Sequence, residues 1–346
     1  MPIKILHCLP AEKFTEAFIE FVLEHFDRDS HNFIVKRLTT FEVQSRPQVM
    51  LVPKQAGWLS LISAYFSLLN RADKVIIHSL FDNKLTLLLA LQPWLLSKCV
   101  WVIWGGDLYS NITPAQTPKG RLLGAFRRFV IRRIGGIVTM IDGDYELARK
   151  HFGTRAKCYA SFVYPSNLVN TLQSVSTEHD GINVLVGNSA DPSNHHCDVL
   201  ERLAAAGHSQ LNVIAPLSYG DRSYAQKVIA RGKELFGNKF SALEDFMPRE
   251  EYEELLKKID IAIFNHDRQQ ALGNIITLLG LGKKVYIRNT VTHWDFFVGI
   301  GVAIDNIADI KITFLDAELQ KKNQLIIGQY FNSANLRQQL DVIFNN

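Results

Sequence analysis

Short apolar runs recur along this chain, separated by longer stretches of helical period, and the alternation is run through twice. A chain written this way folds as parallel strands joined by helices that cover the sheet. In the first half, residues 3–8, 33–35, 74–78, 99–104, 136–140 and 157–160 read as strands. Helices are predicted at 13–26, 85–96, 119–134 and 144–152. The second half gives strands at 183–186, 210–215, 259–264 and 284–287, with helices at 196–206, 223–235 and 272–280. A last segment of helical period, 333–344, has the apolar spacing to pack back on the first half.

A length of 346 residues suits two domains at about 150 residues each. The polar stretch 164–181, with Pro165 and several Ser, Thr and Asn, reads as the connection between them. The expected division is therefore 1–165, a linker at 166–181, a second domain at 182–330, and a C-terminal helix at 331–346. Two such halves facing each other form a cleft at the carboxyl ends of their strands, where ligands of open α/β sheets bind.

Composition excludes several classes. A hydrophobic share of 47% with 21% charged residues is that of a globular enzyme and argues against disorder. Cys8, Cys99, Cys158 and Cys197 form no C-x-x-C pair and read as reduced thiols of a cytosolic protein. The opening MPIKILHCLPAEKF lacks the pattern of a secretory signal. No uninterrupted apolar run is long enough to span a bilayer, so membrane contact is expected to be peripheral. A net charge of +4 does not by itself point to nucleic acid.

Three segments carry candidate chemistry. The strand ending at Trp104 runs into Gly105-Gly106-Asp107-Leu108-Tyr109, where the glycines allow a tight turn and close approach of a ligand. Asp107 there suits removal of a proton from an attacking hydroxyl, and it equally suits capping of the following turn. His78, at the end of a neighbouring strand, is a second candidate base or acceptor contact, or a core histidine. In the second half, Gly187-Asn188-Ser189 and Ser193-Asn194 lie between a strand and a helix, offering backbone amides to a diphosphate or side chains to a cap. No G-x-G-x-x-G and no P-loop lysine is present, which excludes the usual dehydrogenase and ATPase loops. Arg268-Gln269-Gln270, ahead of a helix with Gly273 near its start, can neutralise charge growing on a departing diphosphate without a metal. Arg288-Asn289 and His293-Trp294 follow the next strand and are placed to close the same pocket.

Between Asp107 and Asp142 the chain has no acidic residue but many basic ones. On a helix, Arg121, Arg128 and Arg132 share one side, with Leu122, Phe126, Phe129 and Val130 opposite. That pattern suits an anionic bilayer surface or a lipid diphosphate, and also a solvated helix face. Asp142-Gly143-Asp144 has the form of an Asp-x-Asp metal motif. Opening a helix as it does, it reads as a cap, and no essential metal or other cofactor is expected.

Taken together, Trp104-Gly-Gly-Asp-Leu-Tyr109, Leu185-Val-Gly-Asn-Ser189 with Ser193-Asn194, Arg268-Gln-Gln270 with Gly273, and Arg288-Asn289 with Trp294 resemble glycosyltransferase family 56. The likeness runs from about Trp101 to Trp294 and is loose over the first hundred residues. It implies a GT-B architecture, with the acceptor held mainly by the first domain and the donor by the second. It implies transfer of N-acetylfucosamine (4-acetamido-4,6-dideoxygalactose) from TDP to an undecaprenyl-diphosphate-linked glycan, as in enterobacterial common antigen synthesis. The work would be done by a peripheral protein on the cytoplasmic face of the inner membrane. Donor contacts would then fall on Gly187, Asn188, Ser189, Ser193, Asn194 and Tyr219. Further donor contacts would be Arg268, Gln269, Gln270, Gly273, Asn274, Thr277 and Asn289. Acceptor contacts would fall on Gly105, Gly106 and Tyr109. Many GT-B enzymes carry a ribose-binding glutamate five residues before the glycine that closes this helix. Counted back from Gly282 that place is Thr277, which fits a deoxyribose nucleotide. A related enzyme of O-antigen or capsule assembly, or a non-catalytic protein holding sugar nucleotide or lipid, remains open on these residues.

Overall fold

In a computed structural model, which describes residues 3–37, 41–53, 57–113, 115–169, 180–208 and 210–346, the chain divides into two compact units. The first comprises residues 1–168 with 333–346, and the second 169–332. The connection read at 166–181 falls largely on residues 170–179, outside the described residues.

The first unit runs β1 (Ile3–Pro10), α1 (Thr15–His25), β2 (His31–Lys36), β3 (Val49–Val52), α2 (Trp58–Arg71) and β4 (Ala72–His78). It continues with α3 (Asn83–Leu91), β5 (Cys99–Val102), α4 (Gly106–Ile112), α5 (Pro118–Arg133), β6 (Gly136–Val138), α6 (Asp142–Phe152) and β7 (Lys157–Tyr159). All strand pairs are parallel, in the order β3-β2-β1-β4-β5-β6-β7. β5 is buried along its whole length, as a strand covered on both faces must be, and this is why its sequence is an unbroken apolar run. Trp101, fully buried on β5, is the largest side chain of this core.

The second unit contains β8 (Ile182–Val186), α7 (His196–Ala205), β9 (Leu211–Pro216), α8 (Arg222–Phe236), β10 (Phe240–Leu243) and α9 (Arg249–Lys257). β11 (Ile261–Phe264), α10 (Leu272–Gly280), β12 (Lys284–Ile287), α11 (Thr292–Gly299), β13 (Asp305–Asn306) and α12 (Ala317–Tyr330) follow. Its sheet is again parallel, in the order β10-β9-β8-β11-β12-β13. In both units the strand order reverses beside the first strand, between β1 and β4 and between β8 and β11. That is the switch point at whose carboxyl edge a doubly wound sheet holds its ligand.

The last helix, α13 (Ser333–Asn345), belongs to the first unit. Lys74 donates to the carbonyls of Ile343 and Phe344 at 2.6 and 3.2 Å, placing a cation at the negative end of the helix. Phe344 packs edge-on against His31 and His7.

Two expectations shift for local reasons. The helix predicted over 85–96 stops at Leu91 and resumes as a 3-10 turn over Pro93–Lys98, because Pro93 cannot donate to the helical ladder. The strand predicted to reach residue 104 ends at Val102, because Gly105, at φ 78°, turns the chain into α4. Among the described residues, no helix is long and apolar enough to cross a membrane.

Candidate functional site

At the carboxyl edge of β5 the Trp-Gly-Gly-Asp corner is tied together by Asp107. Its Oδ2 accepts from the Leu80 amide at 3.0 Å and the Trp101 indole N–H at 2.7 Å. Its Oδ1 accepts from the amides of Trp104 at 2.9 Å and Leu108 at 3.0 Å. The side chain is wholly buried, and burial pushes its pKa up against those four hydrogen bonds. A carboxylate so saturated has no oxygen facing a substrate. This is the capping geometry that the sequence equally allowed: Asp107 clamps the corner. Gly105 is buried, and a Cβ at Gly106 would lie 3.1 Å from the Phe81 ring, so these glycines serve the turn and its packing. Tyr109 gives its hydroxyl proton to Asp144 at 3.0 Å.

That contact also revises the Asp142-Gly-Asp reading. Ile141, not an aspartate, is the N-cap of α6 and makes no side-chain cap bond; Asp142 is exposed in the first turn, and Asp144 is buried against Tyr109. Among the described residues, no group of three His, Cys, Asp or Glu is placed to hold a metal ion.

His78 is a core residue within a chain of imidazoles that the sequence did not reveal. His31 Nδ1 lies 3.0 Å from His7 Nε2, and His7 Nδ1 lies 3.4 Å from His78 Nε2. His78 Nδ1 lies 2.7 Å from the Tyr164 hydroxyl, which also accepts from the Trp104 indole at 2.7 Å. Burial lowers the pKa of His78 to about 3 and of His31 to about 4, and it holds His7 well below its usual value. All three are neutral at pH 7. With both ring nitrogens engaged, His78 anchors Trp104 through Tyr164, the core-histidine alternative that its place in the sequence allowed. Around this anchor, a cavity at the ends of β1, β2 and β4 is lined by Glu12, Lys36, Asp82 and Trp104. A signal for it was present: Lys36 ends β2, and Glu12, Asp82 and Trp104 lie just past the ends of β1, β4 and β5.

In the second unit the structure gathers most of the expected donor residues. Gln270 donates to Asn188 Oδ1 at 3.1 Å and Ser189 Oγ at 3.3 Å, and it accepts from Ser193 Oγ at 3.0 Å. Asn188 donates to the Tyr219 hydroxyl at 3.0 Å. Asn194 Oδ1 accepts from the Asn188 amide and from His266 Nε2, both at 2.9 Å. Arg268 donates to Asp191 Oδ2 at 3.0 Å. Burial raises the Asp191 pKa, but the two Ser193 hydrogen bonds and Arg268 outweigh it and hold the carboxyl below its usual range. His195 and Ala271 adopt positive φ, at 48° and 59°, on either side of this cluster, the kind of backbone strain that collects at ligand sites.

The amides of the 187–189 loop are less available than expected. Gly187 N donates to Ile263 O, Asn188 N to Asn194, and Ala190 N to Tyr219 O. The amides open to an anion are instead those of Leu272, Gly273 and Asn274, which precede the first intrahelical bond of α10, from Ile275 N to Ala271 O at 3.0 Å. Gln269 is buried, whereas Asn289 is exposed beyond β12. The Asn274 side chain donates to Tyr252 at 3.0 Å, away from that opening, and Thr277 is half-buried on α10.

On α5, Arg121, Arg128 and Arg132 are all exposed. Arg128 donates to the His151 carbonyl at 2.7 Å and Arg121 reaches the carbonyls of Ala115 and Gln116 at 3.4 Å. The side assigned to apolar packing is only partly covered: Val130 is buried, but Leu122 remains 59% exposed. The buried residues are Val130 and Ile131, with Phe129 partly buried against the same core.

Two parallel doubly wound units, with a polar, arginine-bearing cluster at the second switch point, are the architecture of a GT-B glycosyltransferase. Solved structures share this fold at identities that speak to fold alone. One is HepE of Anabaena in complex with UDP-glucose, at TM-score 0.70 and 13% identity over 99% of each chain. Another is a UDP-forming trehalose-phosphate synthase of Burkholderia xenovorans, at TM-score 0.67 and 8% identity over 99% of each. A third is WaaG, a glycosyltransferase of lipopolysaccharide biosynthesis, at TM-score 0.65 and 12% identity over 99% of this chain and 98% of WaaG. Residues 15–305 match the family described as 4-alpha-L-fucosyltransferase, glycosyl transferase group 56, and the chain belongs to that family. It is a sugar-transferring enzyme.

Proposed function

We propose that this enzyme transfers N-acetylfucosamine from its TDP conjugate to an undecaprenyl-diphosphate-linked glycan, in enterobacterial common antigen or related surface-glycan synthesis. In this reading the second unit binds the nucleotide sugar, and the first holds the acceptor. The observation that carries it is the convergence of Asn188, Ser189, Ser193, Gln270 and Arg268 near the open amides at the start of α10. A diphosphate there would take over the Arg268 guanidinium from Asp191 as a two-toothed partner. Neutralising the leaving group in this way stabilises charge in the transition state without a metal. Thr277 on the same helix, standing where many GT-B enzymes carry a ribose-binding glutamate, supports a deoxyribose nucleotide. The exposed arginines of α5 support peripheral attachment to an anionic leaflet, where each is worth about 1 kcal/mol.

The test is a donor screen against lipid-linked disaccharide, read by mass spectrometry. Gain of one N-acetylated dideoxyhexose from the TDP donor is expected. Transfer only from UDP donors would refute the donor assignment.

A further inference from the structure

With Asp107 and His78 accounted for, the first unit must present some other group to the acceptor. The cavity at the carboxyl edge of β1, β2 and β4 lies at the switch point of this sheet. Ser79 on its wall holds φ 75°, strained for a residue with a side chain. Two carboxylates line it. Asp82 is committed: it pairs with Lys36 at 2.6 Å and accepts from the amides of Lys84 and Leu85 as the N-cap of α3. Glu12, just past β1, is different. Its backbone amide donates to Thr15 Oγ1 at 3.0 Å, while its carboxylate has no hydrogen-bond or ion-pair partner among the described residues. It is half-buried, and Trp104, fixed by the imidazole chain, lines the same cavity.

We propose that the Glu12 carboxylate is the proton acceptor of the transfer, contacting the attacking acceptor hydroxyl in this cavity, with the Lys36–Asp82 pair as a fixed polar wall that orients the sugar. This rests on the reading of the enzyme as a TDP-sugar transferase. In the step, the acceptor oxygen bonds to the anomeric carbon and the bond from that carbon to the diphosphate breaks. The bonding pair leaves on the nucleoside diphosphate, and the hydroxyl proton passes to Glu12. Burial raises the Glu12 pKa towards working pH, which suits a general base. The other titratable groups lining the cavity are Lys36, Asp82, His78, Tyr65 and Cys8, with Lys13 next in sequence. Burial keeps His78 neutral and keeps Tyr65 and Cys8 protonated, and Asp82 is the other carboxylate of the wall, so an acid-side loss of activity is assigned to Glu12 by its disappearance in Glu12→Gln.

The experiment compares the full chain with Glu12→Gln and Glu12→Ala, using TDP-sugar and lipid-linked acceptor, with TDP affinity measured separately. Turnover of Glu12→Gln is expected to fall about 100-fold or more, with TDP affinity within about twofold of the parent and the acidic limb of the pH–rate profile gone. Formate should restore part of the turnover of Glu12→Ala, which a merely structural role would not allow. Turnover of Glu12→Gln within about threefold of an active parent would overturn the assignment and leave the transferase reading intact. A parent that neither binds TDP nor transfers from it would overturn that reading, and Glu12 with it.

Discussion

Replacing Asp107 by Asn separates a clamp from a catalyst. In the parent, one carboxylate satisfies four donors at 2.7–3.0 Å, all within the core of the first unit. An amide offers a single carbonyl oxygen, so either the Leu80 and Trp101 pair or the Trp104 and Leu108 pair must face an NH2 group. Two charge-assisted hydrogen bonds are lost and two buried donors are left unpaired, each at about 1–3 kcal/mol. Part of this is offset because a neutral amide is cheaper to bury than a carboxylate. A net loss of about 3 kcal/mol is expected, a large fraction of the roughly 5–15 kcal/mol that holds a typical protein folded. Urea unfolding followed by tryptophan fluorescence suits the case, since Trp101 and Trp104 flank the clamp. The midpoint for the first unit should fall by roughly 1–2 M. An unchanged midpoint together with a collapse in turnover would refute the clamp and return Asp107 to the chemistry.

Three further predictions follow from the same geometry. Burial depresses the pKa of His31 and His196 to about 4 and of His78 and His293 to about 3. Stability should therefore be full above about pH 6.5 and fall as pH drops towards those values, because the unfolded chain takes up protons that the folded chain refuses, at about 1.4 kcal/mol per pH unit for each histidine; a melting temperature constant from pH 7 to pH 5 would contradict this. Gly187→Ala places a Cβ 2.3 Å from His196 Nε2 and 2.7 Å from Asn194 Oδ1 at φ 69°, so TDP affinity should drop about tenfold or more; calorimetry showing parental affinity would count against the loop as part of the donor site. Converting Arg121, Arg128 and Arg132 to Gln should abolish flotation with anionic but not neutral liposomes, and equal recovery of parent and variant would remove the electrostatic argument.

The parallel sheets were legible in the sequence because β4, β5, β8, β11 and β12 each carry a short apolar run, unbroken in β5 and β11, between polar segments. β3 and β10 escaped notice as four-residue edge strands, and β13 has only two residues. α9, REEYEELLK, was passed over although Tyr252, Leu255 and Leu256 fall at helical spacing, because it is short and only Leu256 is fully buried. The polar cluster proposed to hold the donor was visible because small polar residues sit just past β8 and β11. In the first unit the two readings of Asp107 could not be separated, because an aspartate after a glycine turn looks the same in sequence whether its oxygens face a ligand or four backbone and indole donors. The imidazole chain joins residues 31, 7, 78 and 164, and no local pattern links positions so far apart.

The central claim is that the second unit grips a thymidine diphosphate through Arg268 and the α10 amides. Calorimetric titration of TDP into the parent and into Arg268→Ala tests it most directly. The account predicts saturable binding to the parent, tighter than that of UDP, and at least tenfold weaker binding to the variant. Equal affinity of parent and variant for TDP would contradict it.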